Sequence, residues 1–261
     1  MNGVLTAPPA VLRLAGHPIR WSLLTRLARS DYRVQELGAW LHLPQNLVSY
    51  HLGQLRAAKL VTEHKSSADE RSVYYGLDVE RFRALYLQAG EQLHPALADG
   101  DVGLGEEAQQ DKPPPASLRV LFLCTHNSAR SQMAEALLRQ VSGGRIEAFS
   151  AGSHPAAAVH PLAVRAMEHL GIALGKARPK HFDRFRDQQF DAIVTVCDRV
   201  REACPVFPDD PERIHWSFPD PAEVEGSEDE QYHAFEQTAV QLVTRIRLLV
   251  TLLEREHQQP R

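Results

Sequence analysis

Cys124 and Arg130 bracket the stretch Thr125-His126-Asn127-Ser128-Ala129, a C-x5-R spacing, and Ser131 follows directly. A cysteine acts as a nucleophile in its thiolate form, and an anion nest or a helix N-terminus lowers a thiol pKa. The apolar run before Cys124 reads as a buried strand and the residues from Ser131 as a helix, so a low-pKa Cys124 is expected in the turn between them. Arg130 offers a planar fork to two oxygens of a tetrahedral oxyanion, and Ser131 can donate a hydrogen bond to the thiolate. Residues Thr125, His126, Asn127, Ser128, Ala129, Arg130 and Ser131 therefore form the expected oxyanion cradle. Two further cysteines, Cys197 and Cys204, stand in a C-x6-C spacing, too loose for a compact zinc clamp. Each taken alone also reads as an inert buried cysteine. Asp220 lies between Pro219 and Pro221, an ordinary turn context. At the carboxyl end of a strand, the same side chain can protonate a leaving oxygen.

The elements that must position these groups are legible downstream of residue 117. Strands are expected at Val120–Leu123, Arg145–Phe149, Phe190–Val196 and Arg213–Ser217. Helices are expected at Ser131–Val141, His160–Leu170 and Glu230–Glu254. Alternation of this kind predicts a three-layer α/β domain over 118–261, with a four-stranded parallel sheet and reactive loops at the strands' carboxyl ends.

Residues 1–98 read differently. Pro18 starts a helix with Ile19, Leu23, Leu24 and Leu27 inward. Val34–Leu41 and Gln45–Lys59 flank the break His42-Leu43-Pro44, which is the sequence form of a helix-turn-helix. Val61–Lys65, a polar tip at Ser66–Glu70 and Arg71–Leu77 form a β-hairpin, or wing, and Val79–Leu93 a closing helix. This domain is expected to be a mainly α winged helix-turn-helix. Gln45, Asn46, Ser49, Tyr50, His51 and Gln54 are the expected outward residues of the second helix, and Arg71 lies at the wing; all are candidate DNA contacts. Residues 1–98 hold 11 Lys/Arg against 8 Asp/Glu, residues 99–116 hold 1 against 5, and residues 117–261 hold 17 against 20. Only the front can meet a polyanion. Residues 99–117, rich in acid, Gly and Pro, read as a flexible tether. Three cysteines, no apolar run of membrane-spanning length and no secretory leader predict a cytoplasmic protein with no membrane partner.

Two resemblances add to this reading. The segments LAGHPIRWSLLTRLA, VQELGAWLHLPQNLVSYHLGQLRAAKLV and RSVYYGL resemble the ArsR/SmtB family of metalloregulatory repressors. That resemblance implies a homodimer through the N-terminal domain, bound to palindromic operator DNA. Residues 1–98 contain no cysteine and the last helix offers only Glu91 and His94, so no metal site is expected there. The segments VLFLCTHNSARSQMAEALLR, FSAGSHPAAAVHPLAVRAMEHLGI, FDAIVTVCDRVREACPVFP and HWSFPDPAEVEG resemble the low-molecular-weight protein tyrosine phosphatase fold, in its thioredoxin-coupled arsenate reductase branch. This implies arsenate as substrate, Cys124, Arg130, Cys197, Cys204 and Asp220 as catalytic residues, and a Cys124–Cys197–Cys204 relay. It further implies thioredoxin as reductant, no tightly bound cofactor, and a potassium ion near Glu135 and Ser150. Two rival readings stand beside it. One is a tyrosine phosphatase tethered to a DNA-binding module; the other is a non-enzymatic thiol sensor that tunes DNA binding.

Overall fold

The computed structural model describes residues 7–69, 71–94, 97, 118–202, 204–209 and 211–258. The chain divides into two compact units, residues 1–65 with 71–113 and residues 66–70 with 114–261. The expected tether, 99–117, lies outside the described residues.

In the first unit the order is α1 (Ala10–Ala15), α2 (Pro18–Leu27), β1 (Tyr32–Arg33), α3 (Val34–Leu41), α4 (Gln45–Ala57), β2 (Val61–Lys65), β3 (Val73–Leu77) and α5 (Val79–Leu93). The chain leaves α3 sharply because His42 takes the left-handed conformation at φ 55°. Gly38 permits the close turn, since a Cβ there would lie 3.0 Å from the Leu43 carbonyl oxygen. Leu23, Leu27, Leu37, Val48, Leu52, Leu55 and Leu60 close the core between the helices. Strands β2 and β3 pair antiparallel, Val61 opposite Leu77 and Lys65 opposite Val73. The two-residue β1 adds to the other edge of β3. It is too short for any periodicity to announce and exists through that pairing.

Five of the six expected contact residues on α4 (Gln45, Asn46, Ser49, Tyr50, Gln54) are exposed, as is Arg71. His51 is not. It is 4% exposed, its ring 4.6 Å from that of His17. The reason is helical spacing: Val48, His51, Leu52 and Leu55 share the inward stripe of α4. Burial, with His17 and Arg20 adding like charge, pushes the His51 pKa down, so a neutral imidazole packs there and the expected DNA contact at this position is withdrawn.

The second unit runs β4 (Leu118–Cys124), α6 (Arg130–Val141), β5 (Ile146–Gly152), α7 (Pro161–His169), β6 (Ala192–Thr195), α8 (Asp198–Glu202), β7 (Glu212–His215) and α9 (Glu228–Gln258), with 3-10 turns at Phe182–Phe185 and Pro221–Glu223. Its sheet has four strands in the order β5-β4-β6-β7, every pair parallel, as the alternating pattern predicts. Val120 to Cys124 are buried without a gap, which a strand tolerates when both faces of its sheet are covered. Only the five-residue α8 is unforeseen, being too short to show a helical stripe. The loops after β4, β5, β6 and β7 gather at the carboxyl edge, where Cys124 pairs with Gly152 and the Val196 N–H donates to the Leu123 carbonyl at 2.8 Å.

Gly152 is where β5 meets the loop that follows β4. A Cβ on it would lie 2.6 Å from the Thr125 carbonyl oxygen and 3.0 Å from the Asn127 nitrogen. Both atoms are backbone, so the loop itself must move to admit a methyl group. Gly152→Ala is expected to destabilise the second unit by about 1–3 kcal/mol, the range for overpacking, and to lower turnover more than tenfold. Chemical denaturation and steady-state assay of the same preparation check both.

Candidate active site

The central strand ends on Cys124, and the chain then turns through residues 125–129 before α6 opens at Arg130. The turn depends on Asn127, which adopts φ 48°, a left-handed conformation that Asn accepts more readily than most residues. This directs the Asn127 N–H onto the Cys124 sulfur at 3.1 Å.

The Asn127 side chain is a buried hub whose orientation is unambiguous. Its Oδ1 accepts from the backbone N–H of Lys180 at 2.8 Å, a group that can only donate. Gln132 Nε2 donates to the same oxygen at 3.0 Å and to the Asn127 carbonyl at 3.1 Å. Asn127 Nδ2 therefore faces the other way, donating to Ser131 Oγ at 2.8 Å and Ser150 Oγ at 2.9 Å. With a lone pair of Ser131 so engaged, its own proton is free to point at Cys124 Sγ, 2.9 Å away.

Arg130 is buried. Its Nη1 donates to the Phe218 carbonyl at 2.9 Å, and its Nη2 forms an ion pair with Asp220. Asp220 also caps the following 3-10 turn, accepting from the Ala222 N–H at 3.2 Å. The residues after β7 therefore come over the catalytic loop, uniting Cys124, Arg130 and Asp220. Cys197 joins them: it follows β6, is 2% exposed, and lies 3.4 Å from Thr125 Oγ1. Cys204 sits beyond α8, half-buried, with its sulfur 3.7 Å from the Pro205 carbonyl. All three cysteines are free thiols.

The electrostatics correct one expectation. Burial pushes the Cys124 thiol up, Cys197 adds to the rise, and Arg130 and Ser131 oppose it without prevailing. The guanidinium is engaged by Asp220 and the Phe218 carbonyl rather than turned on the sulfur alone. The balance favours the thiol form of Cys124 over the thiolate. Burial raises the Cys204 thiol as well, against the pull of Arg213.

Glu135 and Ser150, the pair linked by resemblance to potassium, do meet: Ser150 Oγ donates to Glu135 Oε2 at 2.5 Å. The same carboxylate takes Arg139 at 2.6 Å and Lys180 Nζ at 3.4 Å. Two cationic side chains already neutralise it, so this donor set does not fit a further cation. Gly152, Gln132 and Lys180 are supporting residues that motif reading did not single out. Gly152 alone left a sequence signal, a glycine at the end of a strand.

Removing the partner that occupies Arg130 should arm the thiol. In Asp220→Asn the guanidinium turns its charge toward Cys124, and alkylation of Cys124 by iodoacetamide at pH 7 should quicken about tenfold. Peptide mapping by mass spectrometry isolates Cys124 from the other two thiols.

Residues 119–259, which carry the loop, all three cysteines and Asp220, match the low molecular weight phosphotyrosine protein phosphatase family. An arsenate reductase of Halalkalibacterium halodurans is 38% identical over 128 residues, 49% of this chain and 91% of that protein. One of Bacillus subtilis (strain 168) is 35% identical over 128 residues, with the same 49% and 91% shares. The crystal structure of arsenate reductase from Archaeoglobus fulgidus DSM 4304 aligns with 51% of this chain and 98% of its own at 33% identity, with a TM-score of 0.42. By this match, spanning more than half of its length, the chain belongs to the low molecular weight phosphotyrosine protein phosphatase family.

Proposed function

We propose that the second unit reduces arsenate to arsenite through a three-thiol relay, and that the first is a DNA-binding repressor of the ArsR/SmtB type. The observation that carries the reductase reading is the position of Cys197, buried against Thr125 of the oxyanion loop. A hydrolytic phosphatase needs one thiol at this place, and here a second adjoins the first. The likeness to arsenate reductases supports the same assignment.

Arsenate has the shape and charge that the loop is built to hold. On entering it competes with Asp220 for Arg130, whose fork then grips two arsenate oxygens. The released Asp220 stands ready to carry a proton. The Asp220 carboxylate takes the thiol proton of Cys124 as the sulfur attacks arsenic, and passes it to the departing hydroxyl, which leaves as water. A Cys124 S–As(V) adduct results. The thiolate of Cys197 next attacks the Cys124 sulfur. The S–As bond breaks with its electron pair remaining on arsenic, As(V) becomes As(III), and arsenite departs as the Cys124–Cys197 disulfide forms. Cys204 then attacks Cys197, releasing Cys124 as a thiolate and leaving Cys197–Cys204 as the disulfide. An external dithiol, thioredoxin, takes that disulfide back to two thiols. Three cysteines serve three steps.

Several features support the repressor reading of the first unit. Helices α3 and α4 are joined by three residues, His42–Pro44, and the β2–β3 hairpin comes next. One face of α4 presents Gln45, Asn46, Ser49, Tyr50 and Gln54 to solvent. Leu12 on α1, with Tyr86 and Leu93 on α5, are exposed apolar side chains, in keeping with a homodimer through those helices. Among the described residues, no helix is long and apolar enough to cross a membrane.

Two experiments test the halves separately. With arsenate and a thioredoxin system, Cys204→Ser should stop after about one turnover with Cys124 bound to Cys197, visible as a disulfide-linked peptide pair. Undiminished aryl phosphate hydrolysis by that variant, with no arsenite formed by the parent, would establish the phosphatase reading instead; arsenite production in steady state removes the sensor reading. For the first unit, Gln54→Ala should weaken binding of the full chain to its operator by about 1–3 kcal/mol if Gln54 reads a base, measured by gel shift at fixed salt. His51→Ala should act on the thermal midpoint instead.

A further inference from the structure

A second concave site lies behind the catalytic loop, on the far side of Gln132 and Glu135. It is a cavity of about 390 Å³, lined on one side by α6 and on the other by the irregular segment between α7 and the Phe182–Phe185 turn. The volume falls within the roughly 300–1,000 Å³ of small-molecule sites. Its charge is unusual for this half of the protein. Residues 117–261 are acidic as a whole, with 17 Lys/Arg against 20 Asp/Glu, yet five cationic side chains and one carboxylate line this cavity.

The single carboxylate is already engaged. Glu135 is held by Arg139 and Lys180. Lys176, Arg178 and Arg184 have no carboxylate partner among the described residues, and each is exposed at the rim. Three unpaired like charges around one hollow repel each other, and a concave wall focuses their field outward on a mobile anion. Two of the three are arginines, whose forks match phosphate oxygens in pairs. The remaining wall is apolar, made by Ala136, Ala173, Leu174 and Ala177, and can take an uncharged ring beside the anionic groups.

We propose that this cavity binds a small organic polyphosphate, of the size and chemistry of a nucleoside diphosphate, at Lys176, Arg178 and Arg184. Its occupant would be in direct communication with the chemistry. Gln132, in the wall, donates through one amide nitrogen to the Arg178 carbonyl at 2.9 Å as well as to Asn127, so a shift of the Arg178 segment is felt by the turn that shapes the loop. The site is separate from the oxyanion cradle and does not depend on which oxyanion the cradle accepts.

Calorimetric titration of the full-length protein with ADP tests this, with inorganic pyrophosphate as the comparison. ADP should bind with a Kd below about 1 mM, and the affinity should survive Arg130→Ala, which removes the anion clamp of the catalytic loop. It should fall more than tenfold in Lys176→Glu/Arg184→Glu and severalfold in Lys176→Met, a neutralisation at an exposed position that keeps the fold; unchanged thermal midpoints verify folding. Raising salt to about 0.5 M should weaken binding strongly, as screening requires. Affinity lost in Arg130→Ala but kept in the rim variants would place the anion in the catalytic loop and overturn the proposal. So would absence of binding, or pyrophosphate binding as tightly as ADP, which would leave the apolar wall without a role.

Discussion

The loop from Cys124 to Arg130 holds its shape because one residue satisfies five neighbours at once. Asn127 accepts from Lys180 and Gln132 and donates to Ser131 and Ser150, while its backbone N–H meets the Cys124 sulfur. Its left-handed φ would be an unfavourable local state in isolation, and the surrounding hydrogen bonds over-determine it. Because the hub is buried, any member removed leaves a polar group unpaired, at roughly 1–3 kcal/mol each. Through Ser131 the orientation of one amide decides which way a proton faces the nucleophile. Through Ser150 and Glu135 it reaches two cations on the other side of α6.

The second organising constraint is competition for Arg130. A guanidinium can satisfy an internal carboxylate or an incoming oxyanion, and at rest it satisfies Asp220. Burial first and Cys197 second push the Cys124 thiol up, and Arg130 only partly opposes them. In the mechanism proposed above, an arriving oxyanion does two things in one event: it takes the fork of Arg130 and frees Asp220 to carry a proton. A single ion pair joins anion recognition to activation.

How far these features could be read from the chain depends on how local their causes are. The C-x5-R spacing, the buried strand before it and the helix after it lie within one short stretch, and the structure reproduces each. That the sheet is parallel follows from alternation; its strand order, β5-β4-β6-β7, does not. The hub does not announce itself, since its partners stand 23 and 53 residues away in Ser150 and Lys180, and side-chain pairing at that separation leaves no periodic trace. The direction of the Cys124 shift is likewise hidden, because it is set by burial and by Cys197, brought in from the end of another strand. His51 is a different case. Its place among Val48, Leu52 and Leu55 was visible in the spacing, but a polar side chain on an expected DNA-facing helix invited the outward assignment, and packing decided against it.

The shielding of Cys124 bears on survival as much as on turnover. Peroxide attacks thiolates and needs access to them, and Cys124 is 2% exposed, with burial pushing its thiol up. Cys197 is equally covered, leaving Cys204 as the only one of the three thiols partly open to solvent. Burial raises the Cys204 thiol too, so access and not protonation separates it from Cys124, and Cys204 is the thiol an oxidant reaches first.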